Sequence, residues 1–305
     1  MPTPREIHRH IKSVKNIQQI TKAMKMVAAA RLRRAQEKAT SSRPFAEKIR
    51  ELLVTAVNDK TSMRNLNLEE NPLLVERPIR RVGYVVISSD KGLAGAYNTN
   101  LLKHAVVELM DKENYVLITV GRKSKDFFTR RGFDVEEAFF GFSDKPTYED
   151  ADAIAQAAIK LFVSGAVDEV VLIYTRFKSA LSFTPQTQRL LPVAPPSADG
   201  AALLSENFEP EEGEPEDDEA GDVIFEPTAS ETLKYLVPYY VQTLMYAALM
   251  QAAASELGAR MTAMSSATDN ANDLLKGLEL TYNKVRQAGI TREINEIVGG
   301  AEALQ

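Results

Sequence analysis

The C-terminal stretch of residues 232–304 decides the fold, and it reads TLKYLVPYYVQTLMYAALMQAAASELGARMTAMSSATDNANDLLKGLELTYNKVRQAGITREINEIVGGAEAL. It holds no proline after Pro238, and small or apolar residues recur in alternating steps of four and three. A seam with this period of about 3.5 residues is typical of a coiled coil. We therefore predict one long helix that packs against a second helix along these positions: Leu236, Tyr240, Thr243, Ala247, Met250, Ala254, Leu257, Met261, Met264, Thr268, Ala271, Leu275, Leu278, Tyr282 and Val285.

A second long helix is predicted near the N-terminus, from residue 5 to about residue 57. Thr3 suits the N-cap and Pro4 suits the first helical position. The same stepping of four and three runs from Ile7 to Ala56, and Pro44 within it predicts either a kink or a break into two helices. The two terminal helices pair most simply with each other in antiparallel directions, although pairing with other copies of the chain stays open.

Between the terminal helices, the hydrophobic pattern changes to short buried strands that alternate with helices. This alternation predicts βαβ units and a mostly parallel sheet. Pro185 and Pro192 place the last strand at an edge of that sheet, because proline cannot donate a backbone hydrogen bond. The predicted strands are 79–88, 115–120, 134–138, 169–177 and 182–192, and the predicted helices are 98–112, 124–131 and 148–163.

The composition excludes several classes of protein. The chain has no cysteine, which rules out disulfides, thiolate catalysis and cysteine-based zinc sites. Its net charge of −5 is unevenly distributed, because residues 5–38 are strongly basic while residues 206–219 carry nine acids and no base. No apolar run reaches the length of a membrane span, and the first ten residues lack the apolar core of a signal peptide. We expect a soluble protein whose association with a membrane goes through partners.

The sequence offers no recognisable catalytic, cofactor-binding or metal-binding residues. The glycine-containing stretch 88–98 follows a strand and precedes a helix, but it lacks both the dinucleotide-binding pattern and the Walker spacing. It is better explained as a turn that serves as a contact surface. The acidic cluster lacks the spacing of an EF-hand. The basic N-terminal helix has few aromatic residues and its cations surround the helix, so acidic protein loops suit it as partners at least as well as nucleic acid does.

Five separated motifs carry a resemblance to a known family. They are ITKAMKMVAAA (20–30), SDKGLAGAYN (89–98), RMTAMSSATDNA (260–271), YNKVRQA (282–288) and ITREINEIVGGAEA (290–303). In this order, over nearly the whole length, the chain resembles the gamma subunit of F-type ATP synthases. It departs from the family at Ala94, which stands where a cysteine is usual, and the absence of cysteine excludes thiol regulation.

The resemblance implies an α/β fold plus a long coiled coil, in which an antiparallel pair of terminal helices carries an inserted Rossmann-like βαβ domain. The expected domains are an N-terminal coiled-coil helix over 1–58, a Rossmann-like α/β domain over 79–194, an acidic mobile insertion over 195–227 and a C-terminal coiled-coil helix over 228–305.

The resemblance also implies the function of a central rotary shaft. The shaft couples proton flow through the membrane sector to ATP synthesis at the beta subunits, and it regulates ATP hydrolysis without carrying catalytic residues itself. The implied partners are the alpha and beta subunits, the epsilon subunit and the ring of c subunits, which hold the chain at the cytoplasmic face of a bacterial inner membrane. No nucleic acid and no direct membrane insertion are expected. Two other interpretations stay open: a structural coiled-coil adaptor, and a nucleotide-dependent enzyme built on the βαβ domain.

Particular residues are implied as partner contacts. Contacts with the ring of alpha and beta subunits are expected at Lys12, Lys15, Lys22, Met24, Lys25, Arg31, Arg33, Arg34, Arg260, Arg286, Gln287, Ile294, Ile297, Val298 and Leu304. Among these, Arg286 and Gln287 match the family's contact with a beta-subunit loop, and the last four suit an apolar bearing. Contacts with epsilon and the c ring are expected at Asp90, Lys91, Gly92 and Gly95.

Overall fold

The computed structural model of the chain describes residues 3–58, 71–110, 114–193 and 229–302. The predicted acidic insertion 195–227 and Leu304 lie outside these residues. The predicted alternation of strands and helices is confirmed, with small differences at the boundaries. The elements are α1 (Pro4–Asn58), β1 (Val82–Ile87), α2 (Tyr97–Met110), β2 (Tyr115–Val120), α3 (Arg122–Arg130), β3 (Glu137–Phe139), α4 (Tyr148–Val163), β4 (Glu169–Ser179), β5 (Ser182–Leu191) and α5 (Ala229–Glu302), with a short 3-10 helix Pro72–Leu74 before β1.

The structure divides into two compact units, and α1 and α5 contribute residues to both. One unit contains Ala29–Ala259, and the other contains Met1–Ala28 together with Arg260–Gln305. The first unit holds the sheet and its covering helices. The second consists, in its described residues, of the N-terminal half of α1 and the C-terminal part of α5.

The Ala29–Ala259 unit is built on a five-stranded sheet with the order β3-β2-β1-β4-β5. The first four strands in this order are parallel to one another, and β5 is antiparallel to β4. β5 lies at the edge, as predicted from its prolines, and Pro185 pairs in register with Thr175. Because β1, β2 and β3 are parallel, the loops that follow them emerge at the same edge of the sheet.

Helices cover both faces of the sheet, and strand residues alternate between the two covered faces. On β1, Val82, Tyr84 and Val86 pack with α2 and with Phe128 of α3. Val85 and Ile87 face the opposite side, where they share a core with α4, the C-terminal part of α1 and the first part of α5. Both faces are apolar because both are buried, which explains the continuous hydrophobic runs that a parallel sheet shows in sequence.

The ends and the interior of α1 follow the sequence signals. The backbone N–H of Glu6 donates to Thr3 Oγ1 over 3.3 Å, and the Glu6 carboxylate accepts from the Thr3 backbone N–H over 2.8 Å. This capping box confirms the predicted helix start. The helix then runs without interruption through Pro44 to Asn58, so the alternative of a break at Pro44 is wrong.

Within the Ala29–Ala259 unit, α5 lies against the hairpin formed by β4 and β5. Gln251 Oε1 accepts from the Phe177 backbone N–H over 3.1 Å, and Ser255 Oγ donates to the Thr175 carbonyl oxygen over 3.1 Å. Gly258 allows this approach, because a Cβ atom there would lie 3.3 Å from the Ala180 Cα. The absence of a side chain at Gly258 therefore allows α5 to pack closely against this hairpin.

In the other unit, the two helical segments contact each other along the predicted seams. Thr21 and Thr268 hydroxyls lie 2.8 Å apart, Lys25 Nζ donates to Ser265 Oγ over 2.9 Å, and the rings of His8 and Tyr282 lie 5.9 Å apart. The side-chain amides of Gln18 and Asn272 are also hydrogen-bonded. In these contacting pairs, the residue number on α5 falls as the residue number on α1 rises, so the two helical segments run in opposite directions.

Burial along the C-terminal part of α5 repeats the predicted spacing. From Ala271 to Val285, the seam positions are buried or half-buried, whereas most residues between them are exposed. On α1 the seam holds less strictly, because Lys25 is exposed and Met24 beside it is half-buried. The ammonium group of Lys25 stays in contact with water, and the Met24 side chain lies between the two helices instead.

The start of β4 is fixed to the start of β1 by one carboxylate. Asp168 Oδ2 accepts hydrogen bonds from the backbone N–H groups of Arg80 and Arg81 over 2.8 and 3.0 Å. These bonds, with a smaller contribution from nearby arginines, hold the pKa of Asp168 below its ordinary value of 3.8. The ionised carboxylate therefore stabilises the fold, fully above pH 3.8, and this stabilisation is lost as the pH falls through the lowered pKa.

We expect the Asp168→Asn variant to be less stable than the wild type near neutral pH, because it loses the charge but keeps a similar shape. The difference in the free energy of unfolding should shrink as the pH is lowered past 3.8, since the wild type then also loses its charge. Urea unfolding at pH values on both sides of 3.8 measures it. Asp126→Asn, at an exposed position on α3, is the control and should show no such convergence. A difference that is independent of pH would contradict the electrostatic explanation.

Candidate functional site

The loop after β1 is shaped by the carboxylate of Asp90, which joins the three loops at one edge of the sheet. Asp90 Oδ1 accepts from the Arg122 backbone N–H over 3.1 Å. Its Oδ2 accepts from the backbone N–H groups of Gly141 and Ser143 over 2.8 and 3.0 Å. Asp90 was predicted as a contact with partner subunits, but all these bonds lie within the chain. Within the structure, the Asp90 carboxylate positions the loop that follows β1.

The neighbouring Lys91 belongs to a cluster of charges around Asp144. Lys91 Nζ lies 2.9 Å from Asp144 Oδ2, and the same oxygen is bonded to the guanidinium of Arg31 on α1. The carboxylate is largely covered, with 15% of its side chain exposed, whereas the Arg31 side chain is 44% exposed. This ion pair connects α1 to the loop that follows β3.

Two residues of the same loop adopt left-handed backbone conformations. Gly95 has a φ of 55°, which glycine adopts readily, and Leu93 has a φ of 62°, which is uncommon for any other residue. The Leu93 side chain is 66% exposed. The loop thus holds a large apolar side chain outwards at a position with backbone strain. Leu93 is not among the predicted contacts, because a leucine in a glycine-rich loop gives no sign in the sequence of whether its side chain is buried.

A buried pair of serines and one glycine hold the end of β1 against the start of α3. Ser88 Oγ lies 2.8 Å from Ser124 Oγ, and it accepts from the Ser124 backbone N–H over 2.8 Å. Gly121, at the end of β2, has a φ of 93° and lies directly against Ser88. The stretch 121–124 thus serves to hold the loops in place.

The N-terminal half of α1 presents cations and apolar side chains together. Lys12, Lys15, Lys22 and Lys25 are exposed, as the predicted contacts require. Large apolar side chains are exposed beside them, at Ile17, Ile20, Met26 and Val27. Such a mixed surface suits a protein partner, because its apolar part gains from burial while its charged part orients the partner.

The C-terminal end of α5 is exposed on all sides. Arg286 and Gln287 are exposed, and so are four apolar residues that follow them: Ile290, Ile294, Ile297 and Val298. Ile297 keeps 72% of its surface. Beyond Gly289, these apolar side chains are not covered by any of the residues that the structure describes. An exposed apolar helix end of this kind is typical of a surface that binds another protein.

The remaining predicted contacts lie in different surroundings. Arg33 is exposed and pairs with Glu37 over 3.0 Å on the same helix. Arg34 is exposed on the Ala29–Ala259 unit. Arg260, in contrast, is 7% exposed, so its side chain has little surface for a partner. Gly92 lies beside the Lys123 side chain, 3.9 Å from where its Cβ would be.

In the parts of the chain that the structure covers, no three His, Asp or Glu side chains are placed to hold a metal ion. Burial, with a smaller effect of nearby Glu108 and Glu169, raises the pKa of Tyr84 to about 12, so this hydroxyl stays protonated at neutral pH. Among the described helices, none has a stretch that is both long and apolar enough to cross a bilayer.

Comparison with known proteins gives full-length matches. The sequence model of the family described as ATP synthase matches residues 3–304. The ATP synthase gamma chain of Desulfitobacterium hafniense is 44% identical over 306 residues, which cover 100% of both chains. The "ATP synthase gamma chain, sodium ion specific" of Acetobacterium woodii is 40% identical over 98% of both chains. Among solved structures, a chain of the central stalk and c ring of the Tetrahymena thermophila mitochondrial ATP synthase matches with a TM-score of 0.55 and 26% identity, covering 81% of this chain and 99% of that one.

Proposed function

Because the chain belongs to the gamma-chain family of the ATP synthases, we propose that it is the central rotary shaft of such an enzyme. It couples ion flow through the membrane sector to ATP synthesis at the beta subunits, and it regulates ATP hydrolysis. The full-length match to gamma chains carries this conclusion, since it includes both terminal helices and the sheet. The exposed apolar and basic surfaces agree with a protein that acts through protein contacts.

The proposed architecture of the shaft is an antiparallel coiled coil made by the helices of residues 1–58 and 228–305. Residues 79–194 form a Rossmann-like α/β domain, and residues 195–227 form an acidic insertion. The antiparallel contacts of Thr21 with Thr268 and of Lys25 with Ser265 support the coiled coil. The parallel order β3-β2-β1-β4, covered by helices on both faces, supports the Rossmann-like domain.

A shaft drives catalysis in other subunits by binding some of their conformations more strongly than others. A partner shifts a conformational equilibrium only by as much as it binds one state better than another. The contacts must also exchange easily as the shaft turns. Exposed charge pairs suit this need, since each contributes only about 0–1 kcal/mol. The exposed lysines on the N-terminal half of α1 supply such contacts for acidic loops of the beta subunits.

We propose as partner contacts the residues that the family resemblance implies, of which Arg260 is only 7% exposed and Leu304 lies outside the described residues. The ring of alpha and beta subunits contacts Lys12, Lys15, Lys22, Met24, Lys25, Arg31, Arg33, Arg34, Arg260, Arg286 and Gln287. An apolar bearing in the same ring contacts Ile294, Ile297, Val298 and Leu304. The epsilon subunit and the c ring contact the loop that contains Asp90, Lys91, Gly92 and Gly95. Within that loop, Asp90 acts by holding the backbone in place, and Lys91 and Leu93 supply the exposed side chains.

The proposed location is the cytoplasmic face of a bacterial inner membrane, where partner subunits hold the chain. We assign proton coupling to the complex as a whole and not to residues of this chain. A gamma chain named as sodium ion specific is 40% identical to this one, so the shaft is compatible with either ion and the other subunits select it.

Rotation of the chain inside a ring tests the proposal directly. The chain has no cysteine, so a Val107→Cys variant carries one attachment point, at an exposed position of α2. The variant is assembled with alpha and beta subunits, the ring is fixed to a surface, and a gold particle attached to the introduced thiol is followed under a microscope. We expect one chain per six-subunit ring and unidirectional rotation that requires ATP.

The same preparation without ATP is the control, and it should show only random motion. The structural-adaptor interpretation predicts a different outcome: the chain would self-associate, and the particle would stay still whether or not ATP is present. Either a self-associated chain or an immobile label on an ATP-hydrolysing ring would overturn the rotary role.

A further inference from the structure

The Ala29–Ala259 unit contains a cleft of about 590 Å³, and its lining includes Arg31, Arg34 and Lys91, which are also among the proposed partner contacts. Its volume lies within the range of about 300–1,000 Å³ that is usual for small-molecule sites. The cleft lies beside the loops that follow β1 and β3, on the edge of the sheet where α/β folds most often bind ligands.

Cations from three separate elements converge on this cleft. Arg31, Arg34 and Lys38 come from one face of α1, where residues three, four and seven apart are neighbours. Lys91 comes from the loop after β1, and Lys145 comes from the loop after β3. Convergence from several elements concentrates positive charge in a small volume, which suits a compact anion better than a flat basic surface does.

The acidic residues of the cleft are already engaged within the chain. Asp144 is bonded to Arg31 and Lys91. Asp150 accepts from the backbone N–H and the hydroxyl of Thr147 over 2.8 and 2.9 Å, as part of the cap of α4. Among the described residues, Arg34, Lys38 and Lys145 form no ion pair, so these three cations are available to an anionic ligand.

The rest of the lining is apolar. Ala35, Phe142, Pro146, Met250 and Ala253 line the same cleft. A ligand with both a multiply charged anionic group and a flat apolar part would use both kinds of lining, since stacking and burial act on the apolar part while the cations bind the phosphates. We propose that this cleft binds a nucleoside diphosphate or triphosphate, through cations and not through a glycine-rich phosphate loop.

Titration of the purified full-length chain with ADP, followed by calorimetry, tests this proposal. We expect the wild type to bind ADP, and the Arg34→Gln, Lys38→Gln double variant to bind at least tenfold more weakly, because it loses two of the three available cations. The Lys12→Gln, Lys15→Gln double variant is the matched control. It removes two exposed cations from the same helix outside the cleft, and its affinity for ADP should change by less than about twofold.

A second ligand separates the phosphate from the nucleoside. Pyrophosphate carries the anionic group alone, and we expect it to bind more weakly than ADP and to be displaced by ADP. Equal binding of pyrophosphate and ADP would overturn the assignment to a nucleoside. No binding of ADP or ATP by the wild type, or equal losses in the two double variants, would overturn the site.

An acidic protein loop is the competing occupant. A peptide of residues 206–219 of this chain, which has nine acids, serves as its probe. Binding of this peptide to the cleft without any binding of ADP would replace the nucleotide by a protein ligand and so overturn the proposal. Failure of the proposal leaves the rotary role untouched, since rotation is measured independently with the Val107→Cys variant.

Discussion

Replacing Gly121 by valine is expected to prevent stable folding of the sheet-containing unit. A Cβ atom at this position would lie 2.5 Å from the Ser88 carbonyl oxygen and 2.7 Å from Ser88 Oγ. The backbone conformation, with φ of 93° and ψ of 144°, is also one that residues with side chains rarely adopt. The clash involves backbone and a buried serine, so neither partner is free to move away.

Gly121→Val should lower the free energy of unfolding by more than about 4 kcal/mol, which is a large part of the 5–15 kcal/mol that typically stabilises a domain. We expect Gly121→Val to give little soluble protein and no cooperative thermal transition by circular dichroism. Gly132→Ala is the control, because Gly132 has a φ of 78° but its Cβ would meet nothing within 4 Å. That variant should lose only about 1–2 kcal/mol. A Gly121→Val protein as stable as Gly132→Ala would show that the close approach to Ser88 does not constrain the fold.

The sequence predicts the helices and strands well, because their signals are local and periodic. The spacing of Leu275, Leu278 and Tyr282 identifies the inner side of α5 without any knowledge of its partner. The buried runs of β1 and β2 likewise indicate a parallel sheet that is covered on both faces. In each case the spacing of the apolar side chains determines which residues face inwards, so the sequence pattern is sufficient to predict them.

The sequence does not predict contacts that depend on residues far apart in the chain. Asp90 has the composition of a surface loop residue, and only the fold brings the N–H groups of Gly141 and Ser143 to its carboxylate. Arg260 stands among small residues and looks available to a partner, yet it is 7% exposed. The basic cleft was invisible for the same reason, since Arg34 and Lys145 are separated by more than a hundred positions.

Removing the carboxylate of Asp90 is expected to loosen the loops at the functional edge of the sheet. In Asp90→Ala, three backbone N–H groups lose a charged acceptor: those of Arg122, Gly141 and Ser143. Hydrogen bonds to charged groups contribute about 1.5–3 kcal/mol each, and water replaces part of them at this partly exposed position. We therefore expect a loss of about 2–4 kcal/mol in the free energy of unfolding, measured by urea denaturation. Asp126→Ala, at an exposed carboxylate on α3, should change it by less than about 0.5 kcal/mol.

Asp90→Asn distinguishes the charge from the shape of the side chain. The asparagine keeps one acceptor oxygen, but its amide group would face an N–H donor where Oδ1 or Oδ2 now accepts. Its stability should therefore lie between those of the wild type and Asp90→Ala. Amide hydrogen exchange locates the effect, since Gly141 and Ser143 should exchange faster in both variants while the centre of β1 keeps its protection. If Asp90→Ala unfolded at the same urea concentration as Asp126→Ala, the carboxylate would have no structural role.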